Sequence, residues 1–560
     1  MAAEGARSDA EDGGAAARRG DRPGLAALGI AVLAFLYGIL VPTYSDEIVW
    51  RLQERAGLDG RDAMINDLCG PHTILTPPAF MMPVRWFSAT VNSTFPDPLI
   101  VRFEGIFCGL LFLGLLWKLV AAAEPTAARR GTIRAVAFSL LALGVLPLLM
   151  TMSRPEQPLI LATAGAILLA LTGNRDASGA RAWLRAAAVV VLAAIGLSYH
   201  LKGVLYAVVA LACLGLCARG RATVLPRAVG AATLVILTAI AAQYWSARFA
   251  CPGDPVLAKN LAGQNVAMVL AQDGGLGAAL RQVAGNVLPF EYLRRTVPAP
   301  FPMSQWLPWK MFPLPVAWGF GLMMLIAWFS ALYIAIKALI GHWRGTGRTA
   351  LANPPFLLAI TILVCVLVWS ASQTIKNDYE SAHVMPMLAI VVALGLSLRP
   401  KNEPVLPKQT AGWFLLAAAF SLVGMAAFSA RPLLTTAAKG GYADNQLFSY
   451  SGFGFAATRA DAERAMRAAG FPDDRRLRRV LIDDGTYFVL HDSFMPLHRV
   501  GVLHIWNGAI KDPADYLLSR GSDGIVMRCA YLPAALRAVA ARSGEICAVA
   551  DAGLRRAANR

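Results

Sequence analysis

Residues 135–172 read AVAFSLLALGVLPLLMTMSRPEQPLILATAGAILLALT, and this stretch decides the fold class. Two apolar runs, Ala135–Met152 and Pro158–Thr172, have the composition of membrane spans and are separated only by a short turn. The turn carries Arg154 and Glu156, so both charges must lie close to the edge of the bilayer. Charges at that depth tend to be paired or functional. The turn therefore helps to predict the fold and is also a candidate for part of a functional site.

The composition of the whole chain supports a membrane protein. Of its 560 residues, 56% are hydrophobic and only 16% are charged, and a water-soluble fold could not bury so large an apolar fraction. The net charge of +17 does not indicate a nucleic-acid partner, because most cations lie between apolar runs, where they set membrane topology. We therefore expect membrane lipids, and no nucleic acid, as partners.

The spacing of the apolar runs predicts a polytopic α-helical membrane protein with about eleven transmembrane helices. The predicted spans are Leu25–Val41, Gly105–Val120, Ala135–Met152, Pro158–Thr172, Ala186–Tyr199, Val204–Leu216, Ala228–Tyr244, Val316–Ile340, Pro355–Trp369, Val384–Leu398 and Gly412–Phe428.

Lysine and arginine are concentrated in alternate connecting segments, among them those with Arg129, Arg181, Arg219, Lys337 and Arg399. The positive-inside rule places these segments and the N-terminus in the cytoplasm, and an odd number of spans then places the C-terminus outside. The first apolar run has no clear cleavage site and is interpreted as a retained span. We therefore predict a multi-pass protein of the bacterial inner membrane.

Three regions follow from this topology. Residues 1–24 are predicted to be a disordered cytoplasmic tail, and residues 25–430 a transmembrane domain with long periplasmic loops at 43–98 and 245–315. Residues 431–560 are predicted to form a small periplasmic α/β domain. Its expected helices are Asp461–Ala469, Pro513–Arg520 and Leu532–Arg542, and its expected strands Val480–Ile482, Val500–His504, Gly524–Met527 and Ile546–Val549.

The cysteines follow the same division. Cys108, Cys213, Cys217 and Cys365 fall in predicted spans, and the other four fall on the predicted outer face. An even number in an oxidising compartment permits disulfides, with Cys529–Cys547 and Cys69–Cys251 as plausible pairs.

Charged residues recur at the predicted outer ends of the spans. Asp46 and Glu47 follow the first span and could serve as a general base or metal ligand, or could simply be solvated at the interface. Arg154 and Glu156 could bind substrate or form a structural ion pair. His200 and Lys202 lie in another tight turn, where the lysine could bind an anionic group or snorkel to lipid headgroups.

Further polar residues share that face. Arg102 and Glu104 stand at the start of the second span, and Lys376, Tyr379 and His383 lie between the ninth and tenth spans. Side chains of acid, base and cation type converging on one side of a membrane indicate a site. No Gly-rich phosphate loop, Rossmann fingerprint or zinc spacing is found, so a cytoplasmic nucleotide is not expected as energy source.

The order of these motifs resembles the GT-C superfamily of polyprenyl-phosphate-dependent glycosyltransferases, most closely its protein mannosyltransferase and lipid A aminoarabinose transferase branch. The resemblance is carried, in chain order, by Tyr44-Ser45-Asp46-Glu47, Val101-Arg102-Phe103, Arg154-Pro155-Glu156, Leu201-Lys202-Gly203 and the set Lys376, Tyr379 and Pro386.

The resemblance implies a function and a mechanism. A polyprenyl-phosphate sugar would enter from the outer leaflet, and Asp46 would act as general base on the hydroxyl of a glycan, lipid or protein acceptor. Lys202, Arg102 and Lys376, with His383, would stabilise the departing lipid phosphate. Glu47 or Glu156 would orient substrate or hold a divalent metal, so metal dependence is left open.

Two alternatives remain open from the sequence. A transporter or flippase of lipid-linked glycans would be expected to show internal hydropathy repeats and charges at mid-bilayer depth, and neither is evident. A non-catalytic envelope assembly protein would use the C-terminal domain for docking and would tolerate changes at Asp46, Arg154 and Lys202.

Overall fold

The structure is a computed structural model. It describes residues 21–38, 47, 102–144, 146–173, 179–217, 223–249, 270–271, 275–287, 314–372, 382–401, 403–438, 455–472, 477, 479–490, 497–500 and 510–559. The chain forms two compact units. The first comprises Met1–Gly38, Gly105–Ser246 and Lys259–Ser429, and the second comprises Ile39–Glu104, Ala247–Ala258 and Ala430–Arg560. The domain bounds expected from the sequence stay a prediction.

The first unit is built from helices, and the ends of α2, α8 and α13 extend past its bounds. The helices are α1 (21–37), α2 (Phe103–Ala123), α3 (Ala127–Leu141), α4 (Leu146–Thr151), α5 (Glu156–Leu171), α6 (Gly179–Tyr199), α7 (Lys202–Leu216), α8 (Val224–Phe249), α9 (Gly275–Val287), α10 (Leu314–Thr346), α11 (Pro354–Ser372), α12 (Val384–Ser397) and α13 (Lys408–Ala438). A 3-10 turn, Gly347–Ala352, joins α10 to α11.

Five helices in the described part of the chain are long and apolar enough to cross a membrane, as a multi-pass protein requires. They are Phe103–Ala123, Gly179–Tyr199, Val224–Ser246, Leu322–Ala352 and Pro354–Ser372. Glu156–Leu171, Lys202–Leu216, Val384–Ser397 and Gln409–Gly424 are apolar but shorter. The total of eleven spans stays a prediction.

The predicted span Ala135–Met152 is wrong as one continuous helix. It is divided between α3 and α4, and Gly144 lies between them with a φ of 58°, a left-handed conformation that glycine adopts without strain. The Gly144 N–H donates to Ser421 Oγ at 2.8 Å, outside any helical ladder. Pro147 stands in the first turn of α4, where its missing N–H costs nothing.

The first helix begins earlier than the apolar pattern suggests. Residue 21 is already helical, whereas the tail was expected to continue to residue 24. Asp21 accepts a hydrogen bond from Arg134 Nη1 at 2.8 Å, and the Arg134 guanidinium stacks 3.5 Å above the Trp117 ring. These contacts fix a polar first turn that hydrophobicity alone does not reveal.

Helix α12 lies in the interior of the first unit. Every residue from Val384 to Leu396 is buried, and α12 packs against α3, α10 and α11. A helix that is apolar on all sides is buried, either inside a protein or within a membrane, and the neighbours of α12 show that it is packed inside this unit. His383, which precedes α12, and Arg399, which follows it, are thereby held at opposite ends of one rigid element.

The described sheet belongs to the second unit and has the strand order β2-β1-β3-β5-β4. Its elements are α14 (Phe455–Ala469), β1 (Val480–Ile482), α15 (Asp484–Leu490), β2 (Leu497–Arg499), α16 (Pro513–Leu518), β3 (Gly524–Arg528), α17 (Ala534–Arg537), β4 (Ala541–Ser543), β5 (Ile546–Ala550) and α18 (Asp551–Ala558). Strand β1 is parallel to β2 and β3, whereas β5 is antiparallel to β3 and β4.

Both faces of this sheet are covered, as the period of two along each strand requires. Val480 and Ile482 pack with α14, whereas Leu481 packs on the other face with residues of α16, α17 and α18. Asp483, directly after β1, accepts hydrogen bonds from the backbone N–H groups of Thr486 and Arg528, so it is a buried cap of α15. Burial raises the pKa of Asp483, although these hydrogen bonds act to lower it.

The local predictions for the second unit are confirmed in part. Strands β1, β3 and β5 lie where the pattern placed them, and the Cys529–Cys547 disulfide is present. The helix expected over Leu532–Arg542 is wrong at its end, because β4 pairs with β5 there. Strand β2 ends at Arg499, so Val500 lies beyond it, and the pair Cys69–Cys251 lies outside the described residues.

Candidate functional site

The turn before α5 places a carboxylate in the interior of the first unit. Pro155 precedes the helix with a φ of −65°, which suits a helix start, and Glu156 is the first residue of α5. A negative charge in the first turn is stabilised by the helix dipole. The Glu156 side chain has no exposed surface, so its partners must come from the protein.

Arg154 is the first of these partners. Its Nε donates to Glu156 Oε2 and its Nη2 to Glu156 Oε1, both at 3.1 Å, so the ion pair is bidentate. The Arg154 backbone N–H donates to Gln157 Oε1 at 3.2 Å, and Gln157 Nε2 donates to the Leu149 carbonyl at 2.5 Å. Gln157 thereby ties the turn to the end of α4.

Lys202 reaches the same carboxylate from the turn between α6 and α7. Its Nζ donates to Glu156 Oε1 at 2.8 Å. The turn is tight because Gly203 packs against α6: a Cβ at position 203 would lie 2.5 Å from the Gly196 carbonyl oxygen. The absence of a side chain at Gly203 therefore allows Lys202 to approach Glu156.

His200 lies beside this ion pair. Its Nδ1 accepts the Lys202 backbone N–H at 3.0 Å, so the ring proton of the neutral imidazole is on Nε2. That Nε2 is 3.9 Å from Glu156 Oε1, beyond hydrogen-bond distance but close enough for an electrostatic contact. We call Arg154, Glu156, His200 and Lys202 the Glu156 cluster.

Three rings border the Glu156 cluster. Lys202 Nζ is 5.8 Å from the centre of the Trp369 ring, within the range of a cation–π contact. The Trp369 and His383 rings meet edge to face at 4.6 Å, and His383 meets Tyr206 in the same way at 5.7 Å. His383 is fully buried, so the predicted phosphate-binding residues Lys202 and His383 are joined through Trp369.

In the second unit, the structure pairs two other predicted site residues. Arg102 donates from Nε to Glu47 Oε1 at 3.0 Å and from Nη2 to Glu47 Oε2 at 2.9 Å. Both side chains are buried, which makes this a desolvated, bidentate ion pair. Asp46, Lys376 and Tyr379 lie outside the described residues, and the roles given to all ten site residues stay predictions.

Glu47 and Glu156, the two predicted metal ligands that the structure describes, do not suit a divalent metal. Glu47 and Glu156 each accept two hydrogen bonds from a guanidinium, so a metal ion at their oxygens would face that positive charge. Among the residues that the structure describes, no three His, Cys, Asp or Glu side chains are grouped as metal ligands would be. We therefore assign no catalytic step to a metal at either glutamate.

Gln157, Trp369 and Tyr206 were missed by sequence reasoning. Gln157 follows Glu156 directly and could have been included for its place in a charged membrane-edge turn. Trp369 and Tyr206 sit in apolar helices, where an aromatic residue gives no signal until its neighbours are known.

A buried, mutually oriented cluster of this kind can hold an anion. Desolvating ionic groups is expensive, so each of them needs partners such as those described here. The carboxylate fixes the positions of two cationic side chains, and cations held in a low-dielectric site stabilise an anion that approaches or develops there.

Comparisons with known proteins gave structural likenesses only. No protein-family model and no curated protein matches the sequence. The chain is similar to ArnT from Cupriavidus metallidurans bound to undecaprenyl phosphate, at 14% identity and a TM-score of 0.44, covering 94% of this chain and 97% of that one.

Two further solved structures are also similar. The Archaeoglobus fulgidus oligosaccharyltransferase AglB, in complex with an inhibitory peptide and a dolichol-phosphate, is 12% identical with a TM-score of 0.42 and coverages of 90% and 69%. The arabinosyltransferase EmbB from Mycobacterium smegmatis is 15% identical with a TM-score of 0.31 and coverages of 78% and 42%. The three are enzymes of the kind that the motif resemblance named, and none of the likenesses assigns this chain to a family.

Proposed function

We propose that this chain is an integral membrane glycosyltransferase that moves a sugar from a polyprenyl-phosphate donor to a glycan, lipid or protein acceptor at the periplasmic face. The observation that carries the proposal is the Glu156 cluster, in which Glu156 holds Arg154 and Lys202 at the start of two adjacent membrane helices. Such a pair of oriented cations suits the phosphate of a lipid carrier better than a neutral substrate.

The proposed step balances without a nucleotide or redox partner. The acceptor hydroxyl oxygen attacks the anomeric carbon of the donor sugar while the bond from that carbon to the phosphate oxygen breaks. Asp46 takes the hydroxyl proton as general base, and the polyprenyl phosphate leaves with the bonding electrons. Lys202 and Arg154 stabilise the negative charge that develops on this phosphate, with His383 and His200 beside them.

The proposed topology places the C-terminal region, residues 431–560, in the periplasm of a bacterial inner membrane, and the N-terminus in the cytoplasm. The Cys529–Cys547 disulfide supports this placement, because structural disulfides persist in oxidising compartments. The alternation of basic segments supports the same orientation.

Deletion and complementation in the organism of origin test the proposed function. The envelope glycans of the deletion strain should lack one sugar residue type, or accumulate its acceptor, and the wild-type gene should restore it. Asp46→Asn and Lys202→Gln should fail to restore it even when expression is adjusted so that their membrane abundance equals that of the wild type. Lys118→Gln removes a cation from an exposed position of α2 and serves as the matched control, which should complement fully.

Two outcomes would refute the proposal. In the first outcome, both Asp46→Asn and Lys202→Gln complement fully. That result would indicate an assembly protein whose role requires no catalytic residue. In the second outcome, the complete lipid-linked glycan accumulates on the cytoplasmic leaflet, and transfer is intact once the glycan is supplied outside. That result would indicate a flippase instead.

A further inference from the structure

A pocket with a mixed polar and apolar lining lies at the other end of α12, away from the Glu156 cluster. It has a volume of about 560 Å³ and is formed by the last turns of α10 and the segment that follows α12. Its polar lining consists of Lys337, His342, Thr346, Arg399 and Glu403. We call it the α10 pocket, and the function proposed above makes no use of it.

Small residues give this pocket its room. Gly341 and Gly345 lie one turn apart on α10, and a Cβ at either position would meet nothing within 4 Å. The surface of α10 at these two glycines therefore leaves free space inside the pocket. Lys337 lies one turn before Gly341 on the same helix and borders this space. Tyr333 and Ile334 continue the lining towards the middle of α10 with apolar surface, so the pocket combines a cationic mouth with a hydrophobic extension.

The segment that carries Arg399 is fixed by a buried arginine from another helix. Arg129 donates to the carbonyl oxygens of Arg399 at 2.9 Å, Pro400 at 2.9 Å and Glu403 at 2.7 Å. Its Nε also donates to Glu124 Oε2 at 2.8 Å, which holds the guanidinium in place. Backbone carbonyl groups after a helix end usually accept hydrogen bonds from water, and here Arg129 takes the place of that water. These bonds fix the position of Arg399 before any ligand binds.

The Arg399 side chain is oriented but still accessible. Its Nη1 donates to the Val405 carbonyl at 2.6 Å, and its Nη2 lies 3.7 Å from Glu403 Oε2, which is 56% exposed on its side chain. An ion pair this long and exposed contributes little and is easily exchanged for another anion. Glu403 can therefore turn into solvent when a stronger anion approaches Arg399.

His342 supplies a separate indication of a ligand. Its Nε2 is buried and makes no hydrogen bond to any residue that the structure describes, although the residue lines the pocket. A buried ring nitrogen without a partner is costly, which favours a bound group that can accept or donate a hydrogen bond there.

The depth of the pocket indicates what kind of ligand it meets. Helix α10 has 33 residues and is about 50 Å long, so it extends beyond an apolar bilayer core of about 30 Å. Trp343 stacks on Phe356 with ring centres 5.9 Å apart, and tryptophan at a helix end is typical of the headgroup region. Helix length and the position of Trp343 both favour a pocket mouth at the level of lipid phosphates.

We propose that the α10 pocket binds the phosphate group of an anionic membrane lipid in the leaflet opposite to the Glu156 cluster. Lys337 and Arg399 contact the phosphate, His342 Nε2 hydrogen-bonds to the headgroup, and one acyl chain lies along Tyr333 and Ile334. Basic pockets between membrane helices are suited to this class of ligand. Under the proposed topology this is the cytoplasmic leaflet.

Native mass spectrometry of the full-length protein tests the proposal, with phosphatidylglycerol as the probe and phosphatidylcholine as its zwitterionic counterpart. Wild-type protein should retain phosphatidylglycerol in preference to phosphatidylcholine. Lys337→Gln should lower that retention about fivefold, as expected for one cation near a lipid phosphate. Arg344→Gln removes an exposed cation from the same helix outside the pocket and should leave retention unchanged.

Equal retention by the Lys337→Gln and Arg344→Gln variants would overturn the proposal. Displacement of phosphatidylglycerol by millimolar inorganic phosphate would overturn the lipid assignment and give the pocket to a soluble phosphate compound. Neither variant alters the Glu156 cluster, so failure here leaves the proposed glycosyl transfer untouched.

Discussion

Lys202 Nζ lies 2.8 Å from Glu156 Oε1, although 46 positions separate the two residues in the sequence. The contact joins the first residue of α7 to the first residue of α5, and α6 is the element that returns the chain between them. Both charges are buried, so the pair fixes how the two helix starts are placed and also sets the geometry of the candidate site.

The first prediction concerns the energetic coupling of this pair. Lys202→Gln leaves Glu156 buried with one cation fewer and should destabilise the protein by about 3 kcal/mol. Glu156→Gln should be similarly costly, whereas the double variant should lose less than the sum, with a coupling of about 1–3 kcal/mol. Thermal unfolding of the four proteins in one detergent measures this; additive losses would show that the contact contributes nothing.

The second prediction concerns the tight turn beside Lys202. Gly203→Ala would place a Cβ 2.5 Å from the backbone oxygen of Gly196, which cannot move without displacing α6. We expect a loss of about 1–3 kcal/mol and a displaced Lys202.

A matched control for this change lies on the same helix. Gly215→Ala meets nothing within 4 Å and should be neutral or stabilising by about 0.5–1 kcal/mol, because glycine is unfavourable in a helix. The melting temperature should therefore fall in Gly203→Ala and stay the same or rise in Gly215→Ala. A harmless Gly203→Ala would contradict the close approach of α6 and α7.

Much of the local structure could be predicted from the sequence, because it depends on short-range patterns. The turn around Arg154 and Glu156 separates two helices as expected, since proline and charge interrupt an apolar run. Strands β3 and β5 lie where short apolar runs predicted them. The sequence placed these charged residues on one membrane face without pairing them. The structure shows which of them are in contact: the Glu156 cluster, and Glu47 with Arg102.

The features that were missed depend on distant contacts. The break at Gly144 is accompanied by a hydrogen bond to Ser421, far along the chain, and β4 forms because β5 offers it a partner. The link from Lys202 through Trp369 to His383 requires the packing of α7, α11 and α12, which no local pattern encodes. Long-range pairing also explains why Arg129 was interpreted only as a topology signal, although it binds the segment after α12.

The third prediction uses the pH dependence of Glu124. Burial of its carboxyl acts to raise the pKa, but hydrogen bonds from Arg129 and from the Thr126 backbone N–H outweigh this and lower the pKa below the ordinary value of 4.5. Because the pKa is lower in the folded state, the carboxylate stabilises the fold above pH 4.5, and this contribution is lost as the pH falls through the folded-state value.

Glu124→Gln should therefore lower stability by about 1 kcal/mol at neutral pH, with the difference from wild type narrowing in acid. Thermal unfolding from pH 7 down to pH 4 measures this, with Glu403→Gln, an exposed carboxylate, as control. A constant difference across that range would contradict the ion pair with Arg129.

The fourth prediction tests the proposed sidedness. Cysteine introduced at exposed Arg555, in α18, should react with a membrane-impermeant thiol reagent in intact spheroplasts, whereas cysteine at exposed Arg344 should react only after permeabilisation. The parent protein gives the background, and its Cys108, Cys213, Cys217 and Cys365 are buried. The reverse labelling pattern would invert the topology.

Binding of undecaprenyl phosphate to the purified full-length protein in neutral-lipid nanodiscs tests the central claim most directly, because it does not depend on knowing the sugar or the acceptor. Undecaprenyl phosphate should bind at least about tenfold more tightly than undecaprenol, as one charge-assisted contact to phosphate would give. This preference should be lost in the Glu156→Gln/Lys202→Gln variant and kept in Lys337→Gln. Equal affinity for the phosphate and the alcohol, or an unchanged preference in the double variant, would contradict a carrier-phosphate site at the Glu156 cluster.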